Sequence, residues 1–196
     1  MYKKLISLLL ATVMAFGISA CSNANKEECM KPLEAIIEGL EDNNGRKYAS
    51  AVPEFYQLRE LECSGAEDGT TLDDYLDIKW VRECSGYHDK LAELYGDDFE
   101  LEIKIDRAVE EKSTLDDSNR TWQNDWESRI SDGDNVTWDK PEFTSAVRVY
   151  YTLTATGSRG SKTIKGQTLL LKIDGEYTTL FPYMVINNNS AGQSLV

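Results

Sequence analysis

Between residues 30 and 95 the apolar side chains recur at the three- and four-residue spacing of a helix, and from Phe99 onward mostly at every second position. A chain that changes period in this way has few architectures open to it, because the helical stripes find their cover against the strands that follow. Met30, Leu33, Ile36, Ile37 and Leu40 predict a first helix over 30–41, with Pro32 in its first turn and Asp42-Asn43-Asn44-Gly45 as its stop. Tyr48, Val52, Phe55 and Tyr56 predict a second over 46–61, kinked or restarted at Pro53. Thr71 and Asp74 have the spacing of a capping box ahead of a third helix lined by Leu72, Leu76, Trp80 and Val81. Gly86 is expected to interrupt that helix before Leu91, Leu94 and Tyr95.

Phe99, Leu101, Ile103 and Ile105 then alternate with Glu100, Glu102, Lys104 and Asp106, one face dry and one wet. Leu115, Trp122, Trp126 and Ile130 return to helical spacing over 115–130. Strands are expected over 143–156, 163–173 and 176–181, the last two joined by the two-residue turn Asp174-Gly175. The expected fold class is α+β, with N-terminal helices packed on one face of a curved antiparallel sheet. One domain over 29–186 would be followed by a disordered polar tail, 187–196.

The N-terminus carries Lys3 and Lys4 and then an uncharged run over 5–17. That run falls short of the roughly 20 residues needed to cross about 30 Å of hydrocarbon, so residues 1–20 read as a secretory signal. It closes on Ile18-Ser19-Ala20-Cys21, which resembles the bacterial lipobox. The resemblance implies that the Cys21 thiol receives a diacylglycerol, and that cleavage leaves a palmitate-bearing Cys21 as the first mature residue. Residues 21–28 would then tether the domain, extracytoplasmic, to a bacterial membrane. Removing 1–20 takes away two lysines and no acid, which moves the net charge from −13 to −15. Such a charge argues against nucleic acid as a partner and is expected to hold the domain off anionic lipid.

Cys29, Cys63 and Cys84 are an odd set, so at most one internal bridge forms. If the first two helices make an antiparallel hairpin, Cys63 returns beside Cys29, which favours Cys29–Cys63 over Cys63–Cys84. The single histidine, His88, follows Cys84 by four residues, but the intervening Gly86 argues against a dyad or zinc site. Asp132-Gly133-Asp134-Asn135 departs from an EF-hand, with Val136 at the fifth position and Phe143 at the twelfth. No phosphate-binding glycine loop, nucleophile elbow or HExxH motif is present.

Residues 32–56, with the segment Tyr48-Ala49-Ser50-Ala51-Val52-Pro53, residues 94–105, and the closing Leu171-Lys172-Ile173-Asp174-Gly175-Glu176-Tyr177 resemble the nuclear-transport-factor-two-like (cystatin-like) cone. Many small bacterial lipoproteins look like this, although the helix over 115–130 departs from the simplest cone. Some members of that family isomerise or dehydrate substrates with carboxylates and tyrosines inside the cone, but no local motif here marks a catalytic residue. The expected function is a lipid-anchored binding or interaction domain without catalytic activity, cofactor or metal. Its partners would be the membrane and a small apolar ligand or envelope protein; the alternative is a pocket enzyme of the isomerase or dehydratase type. Trp122, Trp126, Tyr150, Tyr151 and Tyr177 are the candidate pocket lining, with ordinary core packing as their other reading.

Overall fold

The computed structural model describes residues 24–66, 69–188 and 193–196. The signal segment and Cys21 therefore lie outside the described residues, as do 67–68 of the expected loop. Helix α1 spans Lys26–Glu41, started by the Asn25 side chain, which accepts from the Glu27 backbone. It begins four residues before the apolar stripe does, so Pro32 sits in the second turn and leaves the Glu28 carbonyl without its helical donor. The chain restarts twice, as α2 (Gly45–Ala49) and α3 (Glu54–Cys63), with Pro53 at the N-cap of α3.

Thr71 and Asp74 form the expected capping box at the head of α4 (Leu72–Leu76). The helix then runs through a π-helical turn, Asp77–Val81, into α5 (Arg82–Tyr95). Gly86 lies inside α5 and does not interrupt it; the irregularity falls earlier, in the π-helical turn ending at Val81. Strand β1 (Glu100–Glu110) is followed by α6 (Lys112–Asp132), β2 (Ser145–Gly157), β3 (Gly160–Ile173) and β4 (Glu176–Thr178). These make one four-stranded antiparallel sheet in the order β1-β2-β3-β4. The layout is the expected α+β class, consistent with a cystatin-like cone.

The inner face of the sheet carries Leu101, Ile105, Val147, Val149, Tyr151, Leu153, Ile164 and Leu170, all buried against Leu33, Ile36, Leu40, Tyr48 and Leu91 of the helices. At the start of β2 both faces are covered, since the consecutive residues Ala146 and Val147 are each buried. The second cover is α6 and the loop after it: the Asn119 side chain exchanges two hydrogen bonds with the Phe143 backbone at 2.8 and 2.9 Å. Arg148 also makes a paired contact to Glu111 at 2.6 and 2.9 Å. The free edge of β1 is capped by α1, whose Lys26 ammonium donates to the Asp106 carbonyl at 2.7 Å and whose Glu41 accepts from the Leu101 amide at 2.6 Å.

Of the tail expected to be disordered, the described residues 187–188 and 193–196 are paired and packed. Asn187–Asn188 pairs with Gln193–Ser194, and Leu195 is buried, accepting from the Tyr95 hydroxyl at 2.9 Å and donating to Ile186 at 2.9 Å.

Asp174 and Gly175 form the β3–β4 turn with φ of 52° and 84°. A branched side chain is strained there, so Gly175→Val is expected to cost about 1–2 kcal/mol. An unchanged melting temperature would contradict the turn geometry.

Candidate functional site

A groove of about 650 Å³ opens on the outside of the domain. Its floor is Val52, Pro53, Phe55 and Leu58 at the α2–α3 junction, with Trp138, Pro141 and Ile173. The junction is held by Gln57, a buried amide donating to the Ala49 and Val52 carbonyls at 3.0 and 2.7 Å. That pairing gives the Val52 carbonyl a donor where one helix stops and the next starts, and adds a second donor to Ala49, which already accepts from the Val52 amide.

The facing wall, residues 137–143, is a loop pinned to both helices beside it. Glu62 of α3 accepts from the Thr137 amide at 2.9 Å and from the Trp138 indole at 3.0 Å. From α6, the Trp126 indole donates to the Trp138 carbonyl at 3.0 Å and Gln123 donates to the Pro141 carbonyl at 3.2 Å. Phe55 is the hub of the aromatic contacts behind the floor, with ring centroids 5.7–5.8 Å from Trp122, Trp138 and Phe143. The wall is thus a preformed surface.

The rim carries five acids, Glu54, Asp139, Glu142, Asp174 and Glu176, all exposed. Its one cation, Lys140, is paired with Glu127 at 2.5 Å. Acidic edges around an apolar, aromatic floor make a surface that attracts cations and rewards burial of a hydrophobic group. A second cavity of about 530 Å³, lined by Lys31, Pro32, Lys172 and Tyr177, shares Ser50, Glu176 and Thr178 with the groove. The two lie on either side of the short strand β4.

A mixed ionic network braces α3 against α6 beneath this wall. Arg59 donates to Asp125 at 2.8 Å while its guanidinium lies 5.2 Å from the centre of the Trp122 ring. The hydrogen bond from Arg59 holds the Asp125 carboxyl below its usual range, against the opposing effect of burial. A depressed folded-state value means that this stabilisation is present above the unfolded value near 3.8 and is lost as pH falls through and below it. Asp125→Asn is therefore expected to lower the melting temperature at neutral pH, and the gap from the parent chain should close as the pH drops below about 4. A gap independent of pH would contradict the pairing.

The sequence-predicted lining residues do not meet in one pocket. Trp122 and Trp126 pack behind the groove wall. Tyr151 is fully buried on the inner sheet face, its hydroxyl donating to the Val185 carbonyl at 2.8 Å. Tyr150, its neighbour, points to the opposite face beneath Arg107, whose guanidinium is 4.2 Å from the ring centre. Tyr177 lines the second cavity with Lys172 5.0 Å from its ring. Phe55, Trp138 and the acidic rim were not anticipated. Their signal was the pairing of Trp138 and Phe143 within an otherwise polar loop, which has no period to betray a wall.

The expected Cys29–Cys63 bridge is absent: Cys29, Cys63 and Cys84 are all free thiols. The second helix breaks at Pro53, so α3 runs along α6 rather than back along α1, and Cys63 ends exposed beside Arg129, which donates to its sulfur at 2.8 Å. Burial pushes the Cys29 and Cys84 thiols up to about 11. Cys84 and His88 do share a place, but as donors to the end of α1: Cys84 to the Gly39 carbonyl at 3.2 Å and His88 Nδ1 to the Leu40 carbonyl at 2.8 Å. Beside them the Tyr48 hydroxyl donates to Glu83 at 2.8 Å, and burial raises the Glu83 carboxyl above its ordinary range. Neither Tyr48 nor Glu83 borders the groove or the second cavity. Among the described residues no group of three or more His, Cys, Asp or Glu side chains is placed to hold a metal ion. Compared with protein-family models, curated proteins and solved structures, the chain matches none.

Proposed function

We propose that this chain is a lipid-anchored, extracytoplasmic binding domain without catalytic activity, whose groove takes a cationic, amphipathic segment of an envelope partner. The carrying observation is the groove itself: a pinned aromatic floor beneath five exposed acids, with its single lysine already paired. The interior of the cone, where a small apolar ligand would have gone, is filled by Tyr48, Tyr151, Leu33, Leu40 and Leu153. The raised carboxyl of Glu83 lies away from the groove, which supports a binding role over the isomerase or dehydratase alternative.

The test is a titration of the mature chain with an alternating lysine–leucine decapeptide, read by tryptophan emission. Saturable quenching is expected, weakened roughly tenfold by Asp174→Lys combined with Glu176→Lys, a change of about 1.4 kcal/mol. Both residues are exposed, and far-UV circular dichroism of the variant checks that the turn accepts lysine at the positive φ of Asp174. Equal affinity in the parent and the variant would remove the groove as the binding surface.

A further inference from the structure

Strand β4, Glu176–Thr178, is an outer strand of the sheet, and β3 occupies only one of its two edges. The two-residue turn at Asp174-Gly175 closes on Ile173 and Glu176, so backbone pairing falls at Ile173 with Glu176 and at Leu171 with Thr178. Lys172, between them, turns its backbone groups towards β2, and its carbonyl accepts from the Thr144 amide at 2.8 Å. Tyr177, opposite Lys172, therefore points its own N–H and C=O away from β3. Two residues on, the Thr179 amide points the same way and donates to the Ala51 carbonyl at 2.8 Å, so the α2–α3 junction covers the edge there. Among the described residues nothing does this for Tyr177, whose amide and carbonyl are unpaired on that side.

The uncovered edge lies between the groove and the second cavity. Ser50, next to Ala51, borders both, as do Glu176 and Thr178. The pleat puts Glu176 and Thr178 on the face of Ile173, which lines the groove, and Tyr177 on the face of Lys172, which lines the second cavity.

We propose that the partner segment binds as an extended strand on this edge, donating to the Tyr177 carbonyl and accepting from its amide. Main-chain pairing of this kind gives affinity, and the alternate side chains give specificity. The partner residue opposite Tyr177 shares its face and enters the second cavity, while the residues on either side of it enter the groove. The groove rim, with five exposed acids and Lys140 already paired, makes those two flanking positions basic. The second cavity offers Pro32, Ala35 and the Tyr177 ring, with Lys31 and Lys172 to repel a cation, which makes the central position apolar. A helical segment cannot do this, because its backbone groups are spent internally and successive side chains lie about 100° apart. The shortness of β4 keeps the edge from pairing with segments that do not fit both cavities.

This mode of binding rests on the groove reading proposed above, and the experiment separates the two. Amide exchange of the full isotope-labelled chain is followed by NMR with and without saturating alternating lysine–leucine decapeptide, with tryptophan emission read alongside. The Tyr177 amide is expected to exchange about tenfold more slowly, or slower still, once the peptide is bound. The Thr179 amide, already held by Ala51, should not change. A decapeptide of the same composition, with its leucines at three- and four-residue spacing, should bind roughly tenfold more weakly. Saturable quenching with Tyr177 exchange unchanged would keep the groove and overturn the added strand, as would equal affinity for the two peptides. Absence of quenching would overturn both. Protection of Tyr177 without peptide would assign the edge to the chain's own residues, or to a second copy if it grew with chain concentration, and would overturn the partner strand.

Discussion

Gly39→Ala is expected to destabilise the domain by about 3 kcal/mol, although alanine is the better helix former by about 1 kcal/mol. Gly39 lies inside α1, and a β-carbon there would sit 2.6 Å from the Tyr48 amide nitrogen and 2.8 Å from its α-carbon. Both obstacles are backbone, so no rotamer change clears them. The two helices cannot simply part, because Asn44 donates to the Gly39 carbonyl at 2.7 Å, Cys84 donates to the same oxygen, and Tyr48 is tied to Glu83. Gly86→Ala in α5 is the matched control: nothing lies within 4 Å of its added carbon, and it should gain about 0.5–1 kcal/mol. Urea unfolding of the two variants reads opposite signs if the α1–α2 approach is as close as described. Stabilisation by both would contradict it.

The second large effect is on location. Cys21→Ala should abolish palmitate incorporation and either release the chain from the membrane fraction or leave an uncleaved precursor retaining 1–20. Each buried methylene of an acyl chain contributes about 0.8 kcal/mol to membrane partition, so losing a diacylglycerol removes far more than any surface patch restores. Unchanged palmitate labelling in Cys21→Ala would refute the lipobox reading.

Much of the fold is legible in the sequence because burial imposes a period. The stripe Leu33, Ile36, Ile37, Leu40 and the alternation from Leu101 to Ile105 reappear as the two sides of one core. The capping box at Thr71 and the turn at Asp174-Gly175 are legible because a few side chains decide them locally. What escaped is what long-range packing decides. Gly86, a poor helix residue, stays helical because neighbouring turns carry Cys84 and Leu91 into the core. Pro53 restarts the second helix in a new direction, and that one change of course removes the cysteine pair and brings α3 to α6. The groove follows from the same turn, since Phe55 and Trp138 are far apart in sequence and meet only because α3 lies along α6. Tyr150 and Tyr151, adjacent in a strand, could not both have lined one pocket.

Binding by the groove is tested most directly by native mass spectrometry of the chain extracted from the cells that express it. A stoichiometric adduct is expected that dissociates at high salt and is missing from Asp174→Lys combined with Glu176→Lys. A bare mass for the parent chain, or an adduct that survives both salt and the two substitutions, would contradict it.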